Sequence, residues 1–454
     1  MKRLLSFILA VLLVVTLTAC SVGSQTEKEV ESTMETNVKQ PSSNKSSDEP
    51  VKITAAIADK VNVEDFNTND VTIWIEKELN VDLEFTVYES TDYNNKINLM
   101  VSSGDKLEDI IFGGFADSMV YEWAQSDALT PLTDYFADKN LAVNLYDAMA
   151  RVGYDFRGQI TLPDGEIYYI PVLNQSYGNE CQSKVWIYEP WLKELNINAP
   201  VTTNDFYEVL KKVVESDVNG NSKADEVGLA GYNGIYSGWF SFLMNAFVYT
   251  DTANNFMKVE NGKLSYSFTE NVWREGIEYI RKLVKEGCIP TETVTQDMQT
   301  WKTMLNTPDV TAFTFAYLTP SQITDVERKS NYIALAPLAG PNGVQYTQYN
   351  PSKASCGMII TADCKNPEIA FKVGDLLVCE ENSIVTRFGA RGKDWDYIKD
   401  LANAKDYISP YEGFDPYIVV YNDTEFWGSG SMQNRSWMQS GPYIRQYGIA
   451  NGMG

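Results

Sequence analysis

Between residues 52 and 114 the chain alternates two hydrophobic periods, and that alternation restricts its possible folds more than any other feature. KITAAIA (52–58), VDLEFTVYE (81–89) and EDIIFGG (108–114) read as strands. Between them, DVTIWIEKELN (70–80) sets Val71, Trp74, Ile75 and Leu79 at helical spacing, and DYNNKINLMVSSG (92–104) reads as a second helix. Strands alternating with helices at this pace predict an α/β fold with a parallel sheet. Ligands of such sheets sit beyond the carboxyl ends of the strands. Asp59 and the loop Gly113-Gly114-Phe115-Ala116-Asp117 are therefore candidate ligand-facing positions, with Asp59 and Asp117 as the polar groups.

A second α/β unit follows EIYYIPVLNQSY (166–177). A helix capped by Thr202 or Thr203 carries Phe206, Val209, Leu210 and Val213 on one face. Another, ENVWREGIEYIRKLVKEGCIP, carries Trp273, Ile277, Ile280 and Val284 and stops at Gly287, with Pro290 beyond. DVTAFTFAYL (309–318) reads as a buried strand, and KNPEIAFKVGDLLV (365–378) as a helix with Asn366 as N-cap and Pro367 at its first position. Trp74 and Trp273 lie on apolar helical faces and are assigned to the core.

The N-terminus says where the chain works. MKRLLSFILAVLLVVTLTAC has Lys2 and Arg3, then an apolar run from Leu4 to Leu17, the pattern of a secretory signal over residues 1–19. Residues 21–50 lack aromatics and are rich in Ser, Thr, Glu and Lys, so they read as a disordered tether. The remaining 51–454 is too long for one ordinary domain. A formal charge of −24 argues against nucleic-acid partners and against adhesion to anionic lipid heads. There is no histidine, which removes His-based nucleophilic systems, histidine-ligated zinc and the usual neutral-pH base. Cys181, Cys288, Cys356, Cys364 and Cys379 are widely spaced and show no metal-type pairing; they read as buried small hydrophobes, with one disulfide left open.

DVNGNSKADE (217–226) packs oxygen-bearing side chains into ten residues. Asp217, Asn219 and Asn221 occupy alternate positions, Lys223 can offer its carbonyl, and Asp225 and Glu226 follow. Oxygen-only ligands suit a hard cation, with calcium favoured over magnesium. Against the EF-hand pattern, Ser222 stands at the glycine position and Gly228 at that of the bidentate Glu, so the loop departs from an EF-hand.

Several segments in order resemble one family. MVSSGDKLEDIIFGG, VWIYEPWLKELNINAPVTTNDFYEVLKKVVESDVNGNSKADEVGL and KNPEIAFKVGDLLVCEENSIVTRFGARGKDWDYI resemble the extracellular solute-binding lipoproteins of bacterial ABC importers. The nearest group is the carbohydrate-binding one that includes the alginate-binding and LplA-like proteins. Leu17-Thr18-Ala19-Cys20 resembles the lipobox, in which Cys20 becomes the lipid-modified first residue. The resemblance implies a two-lobed, periplasmic-binding-protein-like α/β fold, with a hinge and the ligand in the interlobe cleft. It implies a monomer held outside the cytoplasmic membrane by its lipid alone, passing a small carbohydrate to membrane permease subunits. It also implies structural calcium held by Asp217, Asn219, Asn221, Lys223, Asp225 and Glu226. Chain crossings are expected near Tyr169–Asn174 and near Ala334–Leu338, giving lobe one as 51–170 plus 339–385 and lobe two as 171–338 plus 386–454. Relatives of this kind continue past GPYIRQYGIANGMG into further helices, so the chain is expected to be truncated or its second lobe completed differently.

Sugar sites combine aromatic platforms with amide and carboxylate groups. Position selects Asn174, Gln175 and Tyr177 after the first crossing, Trp239 beside Tyr236, and Tyr317 at a strand end. It also selects Tyr349 in QYTQYNPS, and Trp427 and Trp437 in EFWGSGSMQNRSW. Arg435 or Arg445 could pair with a uronate carboxylate. Two other functions compete with carbohydrate capture. A surface glycosidase or lyase would work through paired carboxylates, and no pair stands out among the 61 acidic residues. A structural or adhesive surface protein would not close on a small ligand.

Overall fold

A computed structural model describes residues 49–181, 184–307, 312–317, 319–407, 417–421 and 432–447. Cys20, the signal, the tether up to residue 48 and Trp427 lie outside them. No helix among the described residues is long and apolar enough to cross a membrane.

The strands, in chain order, are β1 (Val51–Ala58), β2 (Val81–Tyr88), β3 (Ile110–Phe112) and β4 (Tyr169–Asn174), then β5 (Val185–Tyr188) and β6 (Val227–Ala230). A hairpin of β7 (Met257–Glu260) and β8 (Lys263–Tyr266) precedes β9 (Ala312–Ala316) and β10 (Tyr332–Leu335). The chain then forms β11 (Ser355–Ile360), a small pair of β12 (Trp395–Tyr397) and β13 (Ile418–Val420), and β14 (Tyr443–Arg445). Two sheets organise the molecule: a six-stranded sheet in the order β14-β4-β11-β3-β1-β2, and a four-stranded one in the order β10-β5-β9-β6.

The 52–114 alternation forms as expected. β1 pairs in parallel with β2 and β3, and the helices Asp70–Leu79 and Tyr93–Ser103 link them. The first helix is capped by Asn69, whose Oδ1 accepts from the Val71 N–H. Its chain end turns at Asn80 and the second at Gly104, both left-handed. In lobe two, Thr202 rather than Thr203 is the N-cap, completing a capping box with Asp205. That helix buries Phe206, Val209, Leu210 and Val213, the predicted face. The helix Asn271–Lys285 buries Gly276, Ile280 and Leu283 instead of Ile277, which is exposed; Trp273 and Val284 pack at the rim of the core. Trp74 likewise packs at the rim of the lobe-one core.

Two boundaries differ from expectation. β4 lies wholly inside the six-stranded sheet, between β11 and β14, so the first crossing begins only at Gln175. After β10 the chain stays with lobe two: Ala339 exchanges backbone bonds with Val201 and Thr203, and the Tyr346 N–H donates to the Asn245 carbonyl. The return crossing falls at residues 350–354, beyond the expected Ala334–Leu338. The segment after 385 belongs to lobe one, not lobe two. β14 pairs in parallel with β4, the Ile444 N–H donates to Ser383 Oγ, and Asn434 ties to Asp65, Thr68 and Asn69. Lobe two is thus one uninterrupted insertion, from about 184 to 349, in lobe one.

Candidate functional site at the lobe crossing

The strand directions define the ligand edge. β1, β2, β3, β4 and β14 run one way and β11 the other, so Ala58, Phe112, Asn174, Arg445 and Ser355 share one edge of the large sheet. In the small sheet, Val185 pairs with Ala316 and with Leu335, so the carboxyl ends of β9 and β10 lie where β5 enters. Both sheets therefore turn strand ends toward the crossing segments, as α/β ligand sites require.

The crossing is organised by Glu180, which is only 2% exposed. Its Oε1 accepts from the Ser352 N–H at 3.2 Å and from the Tyr447 hydroxyl at 2.7 Å, and its carbonyl accepts from the Asn350 N–H. Ser352 Oγ donates to the Asn174 carbonyl, the Gln175 N–H donates to the Arg445 carbonyl, and Tyr177 stacks on Tyr447 at 4.3 Å. One carboxylate so joins the outgoing chain, the returning chain and the C-terminal strand. Burial and the bond it donates to Glu180 push the Tyr447 phenol upward, so that hydroxyl remains a donor.

A cavity of ≈ 500 Å³ opens at the large-sheet edge, walled by Gly113 and Gly114, the turn from Ser90 to Asn95, Ser355 to Gly357, and Gln439 to Tyr443. A second, of ≈ 1030 Å³, lies in lobe two between the β7–β8 hairpin and residues 342–351, with Tyr249, Tyr346 and Tyr349 on its walls.

Of the sequence-selected residues, the structure brings some to these edges and removes others. Asp59 follows β1 and accepts from the Ser90 N–H at 2.6 Å, so it shapes the cavity rim that Ala58 and Lys60 line. Asp117 opens the helix Asp117–Gln125 and accepts from the Tyr169 hydroxyl. Asn174 ends β4, and its Oδ1 is buried without a partner. Tyr177 is 46% exposed on its Tyr447 stack, and Tyr349 is 50% exposed at the second cavity. Tyr317 is half-buried against Trp301, its carbonyl accepting from Trp186 Nε1. Gln175 is buried into lobe one, where its Nε2 donates to the Val152 carbonyl.

Trp239 and Trp437 are core residues, not platforms. Trp239 is 2% exposed, edge-on to Phe240, and a Cβ on Gly231 would come within 2.4 Å of its ring. Trp437 sits among Phe66, Phe85 and Phe112, with Nε1 donating to Thr72 Oγ1. Sequence reasoning missed Glu180, Gln439 and Tyr443. Glu180 follows the first crossing with no local mark, and Gln439 and Tyr443 lie far along the chain from both crossings with no periodicity to orient them.

The 217–226 loop is closed on itself. The Asp217 carboxylate accepts from the N–H groups of Asn221 and Ser222, and the Asp225 carboxylate accepts from Asn219 Nδ2 and Asn221 Nδ2. Those amide bonds hold the Asp225 carboxyl below its ordinary range. Glu226 Oε1 takes the Val218 N–H, whereas Oε2 is buried with no partner. Ser222 takes the left-handed conformation that its place in the loop demands of a glycine. Among the described residues no three carboxylate or thiol groups converge as a metal site. As folded, the Asn219 and Asn221 amides point nitrogen at Asp225, and their oxygens accept from the Asn221 and Lys223 N–H groups.

Comparison with known proteins places this geometry. The chain belongs to the family of bacterial extracellular solute-binding proteins, whose profile matches residues 50–383. It is 30% identical over 327 residues to the fructooligosaccharide ABC transporter substrate-binding protein FusA of Streptococcus pneumoniae serotype 4, covering 70% of this chain and 59% of that one. It is 24% identical over 384 residues to lipoprotein LipO of Bacillus subtilis strain 168, covering 78% and 70%. The chain thus spans less than two thirds of FusA. Among solved structures, the S. pneumoniae FusA EF-hand mutant in complex with fructo-nystose aligns with a TM-score of 0.67 at 23% identity, covering 87% of this chain and 78% of that one. An extracellular solute-binding protein from Bifidobacterium longum subsp. infantis aligns at 0.71 and 20% identity, covering 88% and 78%. These alignments bear out the two-lobed α/β fold.

Removing the Trp239 ring should open a cavity in the lobe-two core. Trp239→Ala is expected to destabilise by ~3–5 kcal/mol, read as a lowered melting temperature. An unchanged melting temperature would return Trp239 to the ligand surface.

Proposed function

We propose that this chain captures an oligosaccharide between its lobes and delivers it to the permease subunits of an ABC importer. The observation that carries this reading is the pair of sheet edges turned toward one crossing, beside a cavity lined by amide, hydroxyl and aromatic groups. Family membership supports it, as does the fructooligosaccharide named for the 30%-identical relative. Hydrolysis is the weaker reading. Glycosidases need two facing carboxylates, and the first cavity has one acidic residue on its wall, Asp92, which accepts from Asn95 Nδ2.

Two features complete the proposal. Cys20 carries a lipid that tethers the chain outside the membrane, as the lipobox resemblance implies; Cys20→Ala should move the protein from the membrane fraction to the medium. The 217–226 loop holds calcium through Asp217, Asn219, Asn221, Lys223, Asp225 and Glu226 as a structural ion. The orphaned Glu226 Oε2 supports this assignment, because a buried oxygen without a donor is costly and a cation would satisfy it.

A thermal-shift screen against neutral and acidic oligosaccharides tests the capture. A ligand at 100 times its Kd raises stability by about 2.7 kcal/mol, and silence across the whole panel would contradict the proposal. Calcium titration by calorimetry tests the loop. Binding is expected, with chelation lowering the melting temperature and Asp217→Ala copying that loss. Absence of heat at millimolar calcium would leave the loop a closed polar turn.

A further inference from the structure

β14 ends in a buried charge with no counter-ion among the described residues. Arg445 is 2% exposed; among the described residues its guanidinium has no carboxylate partner, and Nε and Nη2 have no hydrogen bond. It lies over the Tyr443 ring at 4.0 Å. The one other charge that bears on it is that of Arg387, of the same sign, which donates through Nη1 to Gln439 Oε1. Burial lowers Arg445 to about 9, so it stays charged at neutral pH. Arg435, by contrast, is neutralised by Asp394 at 3.0 Å. A buried charge without a counter-ion carries a heavy desolvation penalty, and here it is borne in a chain of net charge −24, where carboxylates are plentiful.

Its position says what it is for. Val172 of β4 pairs with Tyr443 of β14 and with Ser355 of β11, and all three line the large-sheet cavity. One pleat further toward the crossing, Asn174 pairs with Arg445. Alternation along the strands puts this pair on the cavity-lining face, and Asn174 Oδ1 is also buried without a partner. A donor set and an acceptor are thus unsatisfied side by side at the strand ends. A carboxylate with a neighbouring hydroxyl is their complement: the planar fork of arginine takes the carboxylate in two bonds, and the Asn174 oxygen takes the hydroxyl.

We infer that Arg445 and Asn174 receive a uronate unit, so that the captured oligosaccharide is acidic and Arg445 sets that preference. This rests on the capture reading above. Tyr443, which covers the guanidinium and lines the cavity, is the side chain that turns aside as the carboxylate enters.

The test is calorimetry of the wild type, Arg445→Met and Arg445→Lys with trimeric galacturonate, mannuronate and guluronate, their methyl esters, and neutral fructo- and galacto-oligosaccharides. At least one uronate should bind tenfold or more tighter than its ester, a difference of about 1.4 kcal/mol. Arg445→Met should erase that ratio, and Arg445→Lys should reduce it. The melting temperature of Arg445→Met should hold or rise, because an uncompensated charge is removed; a merely structural arginine would lower it. If Arg445→Met fails to fold, the lysine variant carries the test: an undiminished ratio there overturns the assignment. Equal binding of acid and ester, or binding of neutral sugars alone, overturns the uronate site and leaves the capture reading standing. No binding by any sugar overturns both.

Discussion

One buried carboxylate ties together the segments that pass between the lobes. Two lobes with separate cores are joined at a place where backbone runs between them, and exposed backbone there must be satisfied without filling the cleft. Glu180 does this by accepting from the Ser352 N–H and the Tyr447 hydroxyl, while its own carbonyl takes the Asn350 N–H. These bonds gather the outgoing segment, the returning segment and the chain end of the C-terminal strand at one place. Such a joint absorbs rotation in a few residues, which is what hinge closure requires.

The C-terminal strand gives that joint its third strand and the site its charge. β14 is three residues long and has little propensity to form alone. It is fixed by pairing with β4, by Ser383 Oγ, and by the Gln433 and Asn434 contacts that lead into it. The same strand carries Tyr443 to the cavity, Arg445 behind it and Tyr447 to Glu180 shortly afterwards. Cavity wall and crossing are therefore built from neighbouring residues of one short segment.

Much of the scaffold was legible in the sequence because long periodic segments carry their own orientation. The 52–114 alternation, the Thr202 cap and the Pro367 helix start all follow local chemistry. The site was legible only in part. Trp239 and Trp437 sit in loop-like contexts that resemble ligand platforms, yet tertiary neighbours such as Phe240 and Phe112 enclose them. That the chain stays in lobe one after 385 rests on Asn434 and on short strands, which leave no hydrophobic period to read. Glu180 had no local mark at all, since its partners lie more than 160 residues away. The acidic loop was recognisable by composition, whereas its closure by Asn219 and Asn221 amides depends on side-chain orientation that sequence does not encode.

We propose that the lobes turn about the Glu180 joint to enclose a saccharide. The direct measurement is the distance between spin labels on exposed Leu99 in lobe one and exposed Leu264 in lobe two, with and without an oligosaccharide that calorimetry shows to bind. The distance distribution should shorten and narrow on binding, and Glu180→Ala should broaden it in the free protein. An unchanged distribution in the presence of saturating ligand would contradict the account.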